Sequence, residues 1–130
     1  MTNLTPQKSE GATVWRLILT AYWLALFVST HLPSKFPGLP GDRVDKLVHA
    51  AAFAVLAWLL ATAWQSSAGE LTGRHLRFAW LAVVLYGVAD EVTQIPVGRT
   101  CSLADRLADA IGAAVGLVVF AALRRRKYGK

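Results

Sequence analysis

The side chains that could do chemistry in this chain gather in one stretch, Asp90–Gly116. The stretch leaves one strongly apolar segment, crosses a short polar hinge and enters a second apolar segment. Its candidate ligand-binding side chains and their neighbours are Asp90, Glu91, Gln94, Arg99, Ser102, Asp105 and Asp109. Ionisable groups at membrane depth are costly and persist where they are paired, hydrated or used. The stretch is therefore the first candidate for a functional site.

A second polar pair, Asp45 and His49, opens an earlier apolar segment. The two residues are four apart and share one face of a helix. A carboxylate in this place can orient the imidazole for proton transfer, metal binding or anion recognition. Asp45 can equally cap the helix beside a satisfied histidine. The spacing leaves both interpretations open.

The hinge side chains have distinct expected directions. Glu91 and Gln94 project from one side of their helix, whereas Asp90 is expected to point elsewhere, toward water. Arg99 either clamps the hinge by pairing with Glu91 or Asp105, or makes a two-pronged contact with a carboxylate or phosphate of a ligand. Both roles remain open.

The last apolar segment carries a stripe of acidic and small residues. Asp105, Asp109, Gly112 and Gly116 follow at spacings of four, three and four, which places them on one helix face. Ser102 with Asp105 approximates a capping box at the start of this helix. The glycine pair allows close approach of another helix. We expect this face to turn into the bundle.

Four apolar blocks must position these polar residues. The chain has 130 residues, of which 55% are hydrophobic and 17% are charged, unlike an ordinary soluble domain. The blocks are Val14–Leu32, Leu47–Trp64, Leu76–Val92 and Leu103–Leu123. Each fits the roughly 17–25 apolar residues of a transmembrane helix. The sequence predicts an all-α integral membrane four-helix bundle over 14–123, a disordered leader over 1–13 and a basic tail over 124–130.

Basic residues predict the orientation of the bundle. After four crossings, the side that holds both termini has nine Lys and Arg residues, against five on the other side. The nine are Lys8, Arg16, Arg74, Arg77, Arg124, Arg125, Arg126, Lys127 and Lys130. The positive-inside rule places both termini in the cytoplasm and the polar candidates on the outer half of the membrane. We therefore interpret the net charge of +6 as a topology signal that also attracts anionic lipid headgroups, and not as a nucleic-acid-binding surface.

Cysteine and histidine usage predicts no cofactor. Cys101 is the only cysteine, which excludes an intrachain disulfide and a cysteine-based zinc site. The zinc-peptidase spacing H-E-x-x-H does not occur in the sequence. A metal held by His49, Glu91 and Asp105 remains only as part of an enzymatic alternative.

The ordered set of polar residues resembles the VanZ-like family of small bacterial membrane proteins. The matching residues are Asp45-Lys46-x-x-His49, then Glu91, Gln94, Arg99, Ser102, Asp105, Ala108-Asp109, Gly112 and Gly116. Two features depart from the family pattern: Ala50-Ala51-Ala52-Phe53 replaces an aromatic-rich run, and Asp109 stands where Asn is common. The resemblance implies a multi-pass protein of the bacterial cytoplasmic membrane, whose named member is associated with low-level resistance to the glycopeptide teicoplanin.

Three functions are compatible with these residues. The favoured one is non-enzymatic: an outward-facing site binds a lipid-linked cell-wall intermediate or a glycopeptide, with membrane lipids as further partners. The alternative is an intramembrane acid–base or metal-dependent enzyme that acts on a lipid phosphate. A proton-linked transporter is the third, weakened because four helices without an inverted repeat would need to oligomerise. The sequence leaves the oligomeric state open.

Overall fold

Four α-helices make up the described part of the chain. The computed structural model describes residues 6–32, 42–97 and 103–128. The helices are α1 (Pro6–His31), α2 (Asp42–Ala68), α3 (Gly73–Gln94) and α4 (Leu103–Tyr128), and a 3₁₀ turn at Ile95–Val97 follows α3. The described residues contain no strand, so the all-α four-helix prediction is confirmed.

The helices begin and end at recognisable residues. The predicted disordered leader over 1–13 is wrong from Pro6 onward, because Pro6 opens α1. Proline at a first helical position has the required φ and lacks only an N–H that would be unpaired there. α2 ends before Gly69, whose φ of 86° suits glycine in the left-handed region. α3 ends at Gln94 and is followed by the 3₁₀ turn, where Pro96 lacks the N–H that would continue the helix.

Contacts between helix ends show that α1 and α3 run one way while α2 and α4 run the other. Arg16 Nε near the start of α1 donates to Ser67 Oγ near the end of α2 at 3.1 Å. Arg124 near the end of α4 bonds the Leu71 carbonyl just beyond α2. We call this the tail end. The opposite end, where α1 and α3 finish and α2 and α4 begin, is the site end.

The bundle presents apolar surface that suits lipid. The described residues include three helical segments long and apolar enough to cross a membrane: Glu10–His31, Val44–Ala68 and Leu103–Lys127. α3 falls short by composition because Arg77 and Asp90 bracket a short uncharged run. It nevertheless packs against α2 and α4, and its Leu85 is exposed like the outer residues of the other helices. The chain is a transmembrane protein.

The closest packing joins α2 to α4 through small residues. A Cβ on Gly112 would lie 2.1 Å from the Ala50 carbonyl oxygen, and one on Gly116 would lie 2.0 Å from that of Ala54. Real Cβ atoms do not approach this closely, so both positions require glycine while the helices keep this separation. The expected contact of the glycine face with another helix is therefore confirmed, and the partner is α2.

Gly116→Ala is expected to destabilise the bundle. The added methyl group would strike the backbone of α2 and force the helices apart, at a cost of about 1–3 kcal/mol. The effect is measurable as a lower midpoint of thermal unfolding in detergent. Gly11→Ala is the matched control, because nothing lies within 4 Å of its new Cβ. Equal midpoints for the two variants would contradict the close α2–α4 contact.

Candidate functional site

Side chains from all four helices meet at the site end. Three of them are carboxylates that are almost withdrawn from the surface: Asp90 and Glu91 on α3, and Asp109 on α4. A buried carboxylate is costly unless hydrogen bonds or a counter-charge offset its lost hydration. The partners of these three acids therefore define the site.

Asp90 is held by hydrogen bonds from α1 and from its own helix. Thr30 Oγ1 and Tyr86 Oη donate to Asp90 Oδ1 at 3.1 and 3.3 Å, and Gln94 Nε2 donates to Oδ2 at 2.6 Å. The expectation that Asp90 points toward water is wrong, since its residue exposure is 4%. α1 packs only loosely against the bundle, but it supplies the Thr30 hydroxyl as a polar partner for the inward-pointing Asp90.

His31 closes the α1 side of the same cluster. Its Nε2 lies 3.0 Å from Thr93 Oγ1, and its Nδ1 lies 2.8 Å from the Phe27 carbonyl and 3.8 Å from Asp90 Oδ1. The ring also stacks on Phe27, with 4.0 Å between centroids. The end of α1 is thus fastened to the end of α3.

Glu91 pairs with Arg106 on α4. The Arg106 Nε donates to Glu91 Oε2, which joins the end of α3 to the first turns of α4. A clamp of this kind was one of the two roles left open for Arg99, but Arg99 and Ser102 lie outside the described residues. Asp105 is partly exposed in the first turn of α4, where a negative charge favours the helix dipole.

Asp109 pairs with His49 on α2. Asp109 Oδ1 lies 3.3 Å from His49 Nδ1, so the imidazole is oriented by a carboxylate from another helix. Of the two interpretations of the Asp45–His49 spacing, orientation by Asp45 is not what the structure shows, because Asp45 is exposed. Gly87 packs against Phe53 beside this pair: a Cβ there would lie 3.0 Å from Phe53 Cε1, whereas Asp109 Oδ2 at 3.5 Å would be in ordinary contact.

In three acid–base pairs that the described residues form at the site end, the base is more exposed than the acid. Side-chain exposures are 38% for Arg106 against 11% for Glu91, and 23% for His49 against 6% for Asp109. His31 and Asp90 show 20% against 4%. At the tail end the order is reversed, with 22% for Arg124 and 83% for Glu70. Within these pairs the donors face outward and the paired acids lie behind them, whereas Asp45 and Asp105 at the same end are exposed and partly exposed.

The structure places four of the eight residues selected from sequence in the hydrogen-bonded clusters of the site end. His49, Glu91, Gln94 and Asp109 all belong to the buried clusters. Sequence reasoning missed four members: Thr30, Tyr86, Arg106 and a definite role for His31. Tyr86 was detectable, since it stands four residues before Asp90 on the same helix face. The others contact residues 15 to 62 positions away, which spacing does not reveal.

The described residues hold no group of three His, Cys, Asp or Glu side chains placed to bind one metal ion. The proposed trio of His49, Glu91 and Asp105 is therefore not assembled as a metal site here. Each buried acid is instead occupied by a hydrogen-bond donor from a neighbouring residue. The arrangement suits recognition of an acceptor-rich group or proton transfer through the imidazole.

Comparison with known proteins agrees with the resemblance found in the sequence. Searches against curated proteins and against solved structures each found no match. One family model, described as VanZ/LLP1, matches residues 2–124, which is nearly the whole chain. The chain, with four helices of which three are long and apolar enough to cross a membrane, therefore belongs to the VanZ/LLP1 family.

Proposed function

We propose that this VanZ/LLP1 protein binds the anionic group of a lipid-linked cell-envelope intermediate, or of a glycopeptide, at its site end. The observation that supports this most is the exposure order of the ion pairs: Arg106, His49 and His31 are each more exposed than their acids. A ligand that reaches one of these pairs meets the N–H donor before the carboxylate. Phosphates and carboxylates are the groups that such donors recognise best.

The buried acids prepare these donors for binding. Glu91 holds the guanidinium of Arg106 through Nε, and a guanidinium is the side chain whose geometry best matches a planar anion. Asp109 holds the imidazole of His49 through Nδ1. Since both bases are oriented before the ligand arrives, less conformational entropy is lost on binding.

A second candidate function rests on the His49–Asp109 pair. An imidazole oriented by a carboxylate through Nδ1 can accept or deliver a proton at Nε2. This is the arrangement needed for acid–base catalysis on a lipid phosphate. It is the weaker candidate, because the described residues place no hydroxyl or thiol nucleophile within hydrogen-bond distance of His49.

The proposed location is the bacterial cytoplasmic membrane, with the site end facing outward and both termini in the cytoplasm. The basic residues support this orientation: the tail end carries Arg124–Lys127 on α4 and Arg74 and Arg77 on α3. A site on the outer face would meet envelope intermediates and glycopeptides where both occur. Binding there is our proposed basis for a contribution to glycopeptide resistance.

Arg106→Gln is expected to weaken binding of an isoprenyl diphosphate by about tenfold to a hundredfold, as expected for the loss of a charged hydrogen bond. Calorimetry on the full-length protein in detergent measures the change. Arg106→Lys keeps the charge beside Glu91 but loses the planar fork, so it should fold as the wild type and bind with intermediate affinity. Arg125→Gln, exposed at the tail end, is the matched control.

The same titration with teicoplanin distinguishes the two ligand classes. The proposed function is wrong if neither compound binds, or if Arg106→Gln and Arg106→Lys bind as tightly as the control. Antibiotic susceptibility of a bacterium that expresses each variant then tests the resistance role. Resistance should follow the binding affinities and not the amount of protein in the membrane.

The catalytic alternative predicts turnover that depends on His49. Release of inorganic phosphate from the isoprenyl diphosphate should then be detectable and should fall by about a hundredfold or more in His49→Gln. Binding without turnover, with His49→Gln affecting affinity alone, would support recognition over catalysis.

Labelling of Cys101 tests the orientation. The charge distribution places this single cysteine between α3 and α4, on the outer side. A membrane-impermeant maleimide should therefore label intact spheroplasts through Cys101. In a Cys101→Ser background, Ser67→Cys at the tail end should be labelled only after the membrane is opened. The reverse labelling pattern would show that the bundle has the opposite orientation in the membrane.

A further inference from the structure

An apolar cleft of about 330 Å³ lies between α1, α2 and α3. Its volume falls at the low end of the range for small-molecule sites, about 300–1,000 Å³. Its α1 and α2 walls belong to membrane-spanning segments, and its lining includes Leu19, Trp23, Leu56, Leu60, Val83 and Tyr86. Hydrocarbon is the solvent at this depth, so the cleft opens on lipid and not on water.

The cleft offers no free polar group to a ligand. Its three polar side chains are already engaged within the protein: Thr20 Oγ1 donates to the Arg16 carbonyl at 2.8 Å, Tyr86 Oη donates to Asp90 Oδ1 at 3.3 Å, and the Trp23 indole N–H bonds the Tyr86 hydroxyl. A polar ligand would lose hydrogen bonds by entering, whereas a hydrocarbon chain would lose none. The lining therefore favours a chain of methylene or isoprene units.

The cleft leads directly to the polar cluster of the site end. Tyr86 forms the junction, because its ring lines the cleft while its hydroxyl bonds Asp90. The ring also stacks on Phe53, with 6.0 Å between centroids, and Phe53 lies one helical turn from His49. An amphiphile with its chain in the cleft would thus carry its headgroup toward the exposed bases of the site end, and an anionic headgroup matches their charge.

We propose that this cleft holds the hydrocarbon chain of a membrane lipid whose phosphate headgroup lies at the site end. The proposal rests on the proposed anion-binding function and deepens it. A cleft that binds a hydrocarbon chain favours a lipid ligand over a water-soluble glycopeptide. Tyr86 and Trp23, whose rings meet edge to face with 5.9 Å between centroids, form the boundary between chain and headgroup.

Photo-cross-linking of the full-length protein in phosphatidylcholine nanodiscs tests this. The probe is phosphatidic acid with a diazirine midway along one acyl chain, and adducts are located by mass spectrometry. We expect them on Trp23, Ala82 and Tyr86 more than on Leu85, which is exposed on the same helix as Tyr86. Ala82→Trp fills the cleft from its rim and should lower the cleft adducts about tenfold, because the indole occupies the space that the chain would take. Leu85→Trp is the control and should leave them unchanged.

A matching diazirine diacylglycerol, which lacks the phosphate, separates this proposal from the proposed function. Cleft adducts with both probes in equal amount would support the chain seat and contradict anion recognition. Phosphate binding that depends on Arg106, with adducts spread evenly over Leu85 and the cleft residues, would overturn the chain seat and leave anion recognition standing. Unchanged cleft adducts in Ala82→Trp would also overturn the chain seat.

Discussion

The architecture depends on the cost of keeping three carboxylates inside a lipid-facing bundle. Asp90, Glu91 and Asp109 each need a partner from another helix, and each partner is different: Thr30 on α1, Arg106 on α4 and His49 on α2. An unpaired charge in a low-dielectric interior would cost several kcal/mol. The contacts of these three acids therefore fix how all four helices pack together at the site end.

Small residues supply the complementary constraint. The carboxylates can reach their partners only if the helix axes are close, and Gly112 and Gly116 allow α4 to lie against the backbone of α2. In lipid there is little hydrophobic drive for helices to associate, so such contact and interhelical hydrogen bonds carry more of the stability. The glycine pair extends from the acidic stripe toward the tail end, so the packing and the site share one face of α4.

The two ends of the bundle have different chemistry. At the tail end the charges are solvated and hold the helix ends, as with Arg124 between Glu70 and the Leu71 carbonyl. At the site end the paired acids are withdrawn and their bases are more exposed. This contrast makes the site end a candidate for recognition, while the tail end is adequately explained by membrane topology. The mid-depth cleft adds an apolar surface that is joined to the site end through Tyr86.

The sequence by itself determined the helices, the membrane environment and the end of the bundle where polar groups gather, because helix length, apolar content and charge are local properties. It also indicated that Asp109, Gly112 and Gly116 share an inward face, since helical spacing decides that. Only the tertiary structure decided the pairing: His49 with Asp109 instead of Asp45, Glu91 with Arg106, and Asp90 turned inward to Thr30. Which residues on different helices become partners depends on the rotation and separation of the helices. These depend on packing across the whole bundle and cannot be read from the spacing of residues along one helix.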